Sequence, residues 1–144
     1  MLRLTKKSEY GIIALKHMIN QPEGTVTRAK EVAELYNIPS EIMAKILQNL
    51  VRGGFVQSSQ GARGGYALAK EAHTISLSEI VESIEGPLGI VECMADQECN
   101  CMQLENCNIS DPFRVIHEQF KIFLSRISLA DISNEMDMKQ VVWQ

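Results

Sequence analysis

With 144 residues, 45% of them hydrophobic, the chain has material for one domain, or a small domain with an appendage, and for a core to stabilise it. No run approaches the roughly 18 apolar residues that a membrane span requires. The opening MLRLTKKSEYGIIALKHM is interrupted by Lys16 and His17 and is followed by no small-residue cleavage site. The expected compartment is therefore the cytoplasm, where thiols stay reduced. The net charge of -4 argues against nucleic acid until it is resolved by halves: residues 1–70 hold ten Lys/Arg against five Asp/Glu, and residues 71–144 hold four against thirteen. A basic half that can meet phosphate is joined to an acidic half that phosphate repels.

In chain order, Tyr10, Ile13, Ala14 and Met18 repeat on one face and predict a first helix from about Lys6 to Ile19, broken by QPEGT. Thr27 is the expected cap of a second helix, RAKEVAELY, with Ala29, Val32, Ala33 and Tyr36 on one side. Asn37-Ile38-Pro39 reads as a turn. Ser40 is then the expected N-cap of a third helix, SEIMAKILQNLVRGG, with Glu41 in its first turn and Gly53-Gly54 at its end. Ile42, Ile46, Leu47, Leu50 and Val51 form its apolar stripe, leaving Lys45, Gln48, Asn49 and Arg52 as hydrogen-bond donors for phosphates or base edges. Two helices joined by a short turn, the second with a donor-rich face, predict a helix-turn-helix.

The next segment, FVQSSQGARGGYALAK, reads as strand (Phe55 to Ser58), glycine-rich tip (Gly61, Gly64, Gly65) carrying Arg63, and strand (Tyr66 to Ala69). This is a wing, whose glycines bring backbone amides close to a phosphate and whose arginine can enter a minor groove. Ser76 or Ser78 caps a short helix, LSEIVESIEG, closed by Gly86-Pro87. Asp111 and Pro112 are the expected N-cap and first residue of a long helix. Phe113, Ile116, Phe120, Phe123 and Ile127 recur at three, four, three and four residues, an a/d seam that predicts dimerisation. SLADIS forms one more short turn capped by Ser128, and the tail to Gln144 carries no clear pattern. The fold class is mainly α: a winged helix-turn-helix domain (1–86) with a two-stranded β wing, a cysteine-rich loop (87–110), and a dimerisation helix with its tail (111–144).

All four cysteines, Cys93, Cys99, Cys101 and Cys107, lie within CMADQECNCMQLENC. Their gaps of five, one and five residues lack the close pairs that structural zinc sites favour. A loop with thiolates so spaced can wrap an object larger than one ion, as an iron-sulfur cluster is; a thiol switch and unliganded thiols are the other readings. His17, His73 and His117 are far apart and stand in no catalytic motif, so the chain does not read as an enzyme.

RLTKKSEYGIIAL, IPSEIMAKILQNLVRGGFV, GARGGYALAK, SLSEIVESIEGPLGIVEC and the late SLADI together resemble the IscR/NsrR/CymR family of dimeric bacterial winged-helix transcription regulators, over almost the whole chain. That resemblance implies a homodimer on a palindromic double-stranded operator, with helix 40–53 in the major groove and the wing in the minor groove. On it the DNA-facing residues are Arg3, Lys6, Arg28, Ser40, Glu41, Lys45, Gln48, Asn49, Gln60, Gly61, Arg63 and Gly64. It also implies a 2Fe-2S or 4Fe-4S cluster, with Cys93 and Cys107 matching the outer ligands and Cys99 or Cys101 the middle one. The histidine that completes the site in some members falls at Ser110, so Glu9 of the other subunit or the spare cysteine becomes the fourth ligand. The acidic base-reading residue and the wing arginine of IscR fall at Ala44 and Gln60, which implies a different operator. The expected function is a regulator, most simply a repressor, whose cluster senses nitric oxide, redox state or iron-sulfur status. The alternative is a cluster-free thiol- or zinc-dependent regulator or a protein-interaction module.

Overall fold

A computed structural model describes residues 3–95 and 99–134, so the expectation for the tail beyond 134 lies outside the described residues. The elements run α1 (Lys6–Ile19), α2 (Ala29–Leu35), α3 (Ser40–Arg52), β1 (Val56–Ser59), β2 (Gly65–Leu68), α4 (Leu77–Glu85), α5 (Glu92–Ala95), α6 (Ser110–Ser125) and α7 (Leu129–Ser133), with 3-10 turns at Ala72–Thr74 and Leu104–Asn106. This is the mainly helical winged architecture that the periodicities predict. No described helix is long and apolar enough to cross a membrane.

Local chemistry sets the boundaries. Thr5 caps α1 by accepting from the Ser8 amide, and Glu9 in the first turn faces the positive end of the helix dipole. At α4 the Ser76 hydroxyl accepts from the Glu79 amide while the Glu79 carboxylate accepts from Ser76 N–H at 2.9 Å, a capping box. Hydrogen bonds from the Ser76 hydroxyl and then its backbone hold the Glu79 carboxyl below its ordinary range. A depressed carboxyl pKa contributes stability at neutral pH that is lost as pH falls through the folded value. Ser128 and Asp131 build the same box on α7, as its expected cap requires.

Three expected caps are corrected. Thr27 does not cap α2: it is buried and exchanges two backbone hydrogen bonds with Tyr66, each 2.8 Å, so the chain is still extended there and Arg28 takes the cap position. Ser40 is the first helical residue of α3, since Pro39, with φ fixed near -57°, occupies the position before it. Asp111 lies inside the first turn of α6, whose cap position is Ile109.

The core is built from Ala14 and Leu15 of α1, Val32 of α2, Met43, Ile46, Leu47 and Leu50 of α3, and Ile75 and Ile80 around α4. Within α3 the buried stripe is centred one residue from the expected one: Met43 is fully buried and Ile42 is 38% exposed. Gly11 lets α1 lie close to α4, because a side chain there would collide with Ile84. Leu129 of α7 belongs to the same core, brought back by hydrogen bonds of 2.8 Å from Leu77 N–H to the Ile127 carbonyl and from Leu129 N–H to the Ile75 carbonyl. The chain thus leaves the winged unit after α4, passes through the cysteine segment and α6, and returns to close the core.

Candidate nucleic-acid interface and cysteine segment

Burial of Met43, Ile46, Leu47 and Leu50 turns the opposite side of α3 outward, and at 100° per residue that side carries Glu41, Lys45, Gln48 and Arg52, all exposed. Among the described residues Lys45 and Arg63 form no ion pair, so both cations are available to phosphate. Ser40 stands exposed at the N-terminal end of the helix. Asn49 lies on the flank towards α4, half-buried, with its carbonyl accepting from the Ser83 hydroxyl at 3.3 Å. Arg52 reaches the Asn49 side-chain oxygen at 3.5 Å. Lys6 is paired with Glu9 at 2.6 Å, and that bond holds its ammonium above the ordinary lysine range. Arg3 is exposed just before α1, where it lines a cavity shared with α4 and α6.

The wing pairs Val56 with Leu68, Gln57 with Ala67, Ser58 with Tyr66 and Ser59 with Gly65. Gln60, Gly61 and Arg63 are exposed at its tip, and Gly61 adopts a φ of 102°, which side chains disfavour. The wing is fastened to the helix-turn-helix by two consecutive residues. Thr27 bonds to Tyr66 as above, and the Arg28 guanidinium donates to the Ala62 carbonyl at 2.8 Å. This fastening was missed in the sequence because it joins residues 34 apart. It makes Arg28 a positioning residue for the tip that carries Arg63. Arg28→Ala is expected to weaken DNA binding by about 0.5–1.5 kcal/mol, the net worth of one hydrogen bond. Arg28→Lys, which keeps the charge without the guanidinium fork, is expected to lose a similar amount; fluorescence anisotropy at several salt concentrations separates this from a lost phosphate contact. A Gly64 Cβ would stand 2.9 Å from the Gln60 carbonyl carbon and 3.0 Å from the Gly61 oxygen, both backbone. Gly64→Ala is therefore expected to reshape the tip and weaken DNA binding while leaving the thermal midpoint nearly unchanged, because the tip is far from the core.

Cys93 lies on α5; Cys93, Cys99 and Cys107 are half-buried, and Cys101 is exposed with its thiol 3.5 Å from the Gln103 side-chain oxygen. All four are free thiols. Partial burial, and after it the proximity of the Cys99 and Cys101 thiols, pushes the Cys93 thiol above its ordinary range. The segment thus gathers four sulfur donors in one neighbourhood. Among the described residues, no three of His, Cys, Asp or Glu converge as one metal shell. The donor chemistry, four thiols on one segment, suits an iron-sulfur cluster. Glu9 lies in the first turn of α1, paired with Lys6.

The expected α6 seam divides between two faces. Ile127 is buried in the core beyond the helix, Phe113 and Phe120 are half-buried, and Ile116 and Phe123 face outward. The outward set, Ile109, Val115, Ile116, Ile122 and Phe123, is between 37% and 63% exposed. The inward side buries Leu124 and His117.

A winged helix-turn-helix with a free basic face and an appended helix defines the class of DNA-binding transcription regulators. The chain belongs to the Rrf2 family, whose model, described as an iron-dependent transcriptional regulator, matches residues 4–135. Members of this family are transcription regulators rather than enzymes. Among solved structures, the chain is similar to CymR (YrzC), the global cysteine regulator of B. subtilis, at 24% identity and a TM-score of 0.71, over 95% of this chain and all of that one. It is also similar to T. potens IscR, at 22% identity and a TM-score of 0.72, over 96% of this chain and 91% of that one. The oxidized form of S. aureus CymR matches at 18% identity and a TM-score of 0.71, over 94% of this chain and 99% of that one.

Proposed function

We propose that this regulator binds a palindromic operator as a homodimer and that an iron-sulfur cluster on the 93–107 segment sets its affinity. The observation that carries the reading is the position of four free thiols on the one segment linking the winged unit to α6. Cys93, Cys107 and the half-buried Cys99 would hold the cluster, with the partner subunit's Glu9 at the fourth corner. The cluster would supply a site open to nitric oxide, oxidants or iron loss. A tightened segment fixes α6 relative to α4, where Lys121 pairs with Glu82 at 3.5 Å, and so fixes the spacing of the two basic faces. A relaxed one releases it.

A cluster-free thiol switch is the second reading, favoured by one observation: no described metal shell is closed. Anaerobic purification with iron, sulfide and zinc analysis decides between them. Iron and sulfide in equal amounts support the cluster; stoichiometric zinc, or thiols that pair on oxidation without metal, support the alternative. DNA binding is tested apart from the sensor. Lys45→Ala/Arg63→Ala is expected to flatten the salt dependence of operator affinity by roughly one logarithmic slope unit per lost phosphate contact. An unchanged slope would leave a protein-interaction module as the better description.

A further inference from the structure

We propose that the cavity between the N-terminal segment, the end of α4 and α6 binds a small zwitterion with an apolar side chain, a ligand of the amino-acid class. The cavity measures about 440 Å³, within the size range of small-molecule sites. Its walls are mainly apolar, with Val81, Leu88, Phe120 and Leu124 supplying the bulk, and its charged lining residues are one of each sign, Arg3 and Glu85. Such a lining selects its ligand: an apolar body gains from burial, while the ligand's charges can meet opposite charges on Arg3 and Glu85, both of which are exposed. Glu85 is held for this purpose. One of its carboxylate oxygens accepts from the Ser8 hydroxyl at 3.0 Å and from the Thr5 hydroxyl, and among the described residues the other has no hydrogen-bond donor and can accept from an ammonium. The Arg3 guanidinium is the matching donor fork for a carboxylate.

The location gives the site its consequence. Ala95, two residues beyond Cys93, forms part of the wall, and a Cβ on Gly89 would stand 2.7 Å from its Cα, so the wall is the closely packed stem of the cysteine segment. Phe120 and Leu124 bring in α6, and Thr5 and Ser8 bring in the start of α1. Occupancy would therefore brace three elements whose relative placement sets operator affinity. That coupling rests on the proposed regulatory function; binding itself does not.

Isothermal titration calorimetry of the full-length protein with L-leucine, L-methionine and L-phenylalanine tests the site, with isoamylamine and 4-methylpentanoate as probes lacking one charged end. At least one amino acid is expected to bind saturably and at least about tenfold more tightly than either truncated probe, a difference of ~1.4 kcal/mol. Glu85→Gln should weaken the amino acid about tenfold and leave 4-methylpentanoate unchanged, and Arg3→Gln should weaken both. Arg3 is exposed, so its variant reports even where Glu85→Gln lowers the melting temperature. No saturable heat from any of the three, tighter binding of a truncated probe, or wild-type affinities in both variants would overturn the proposal. Binding by a protein that fails to bind DNA would uphold the site and overturn the regulatory reading instead.

Discussion

Ile116→Glu/Phe123→Glu is expected to convert the proposed homodimer to a monomer and to lower operator affinity by about 10²–10⁴-fold, the advantage lost when two linked half-site contacts become independent. Ile116 and Phe123 are seven residues apart on one line of α6, with Val115 and Ile122 beside them and Ile109 at the cap position seven residues before Ile116, and all five are exposed in the protomer. Seven-residue spacing keeps a stripe facing one partner helix, and an apolar stripe of this length left in water favours association. Glutamates there would meet glutamates across a two-fold interface and would have to be buried unpaired. Because both positions are exposed in the protomer, circular dichroism should show an intact fold. Leu124→Glu provides the contrast: it faces inward at 6% exposure, and its loss should unfold the chain rather than dissociate it. A double variant that sediments as a dimer with wild-type operator affinity would remove α6 from the interface.

The second large effect is expected at the cysteines. On the proposed cluster, Cys93→Ala and Cys107→Ala should each reduce iron and sulfide to background in anaerobically purified protein and abolish the visible absorption. Cys99→Ala should do the same, and Cys101→Ala should not. Cys101 is the exposed thiol, facing Gln103, whereas Cys99 is half-buried. Glu9→Ala is expected to leave the cluster assembled but faster to lose iron, since a carboxylate corner is the weaker ligand. Full iron content in Cys99→Ala with loss in Cys101→Ala would reverse the assignment of the middle ligand. Full content in both would mean that either thiol can serve.

The elements were legible because their signals are local. The α1 boundaries follow from a 3.6-residue apolar period and the QPEGT break, and the wing follows from two short β runs around a glycine-rich tip. The Ser128 cap needs only the residues within one turn of it. The cysteine segment was legible as well, since four thiols within fifteen residues are visible without any fold. Three features were not. Thr27 reads as a cap because threonine accepts amide hydrogen bonds, yet its backbone is claimed by Tyr66, 39 residues away, and the ladder bond outweighs the cap. The α6 seam reads as one stripe because both its faces are apolar, and only α4 and the returning α7 decide that Phe120 and Ile127 turn inward while Ile116 and Phe123 turn out. The cavity lined by Arg3 and Glu85 joins segments from three parts of the chain that no periodicity connects.

By itself, then, the sequence determined the main helices and the two strands, though not the short α5 or the 3-10 turns, as well as which half is basic and that the thiols lie between the winged unit and the last long helix. Each of these depends on neighbours within a turn or a hairpin, or on simple addition of charge. The tertiary structure decided how the wing is fastened, which face of α6 is exposed in the protomer, and where two opposite charges line an apolar cavity. Those depend on which distant backbone or side chain wins a competition for the same hydrogen bond or buried surface, and that outcome exists only once the chain has closed on itself.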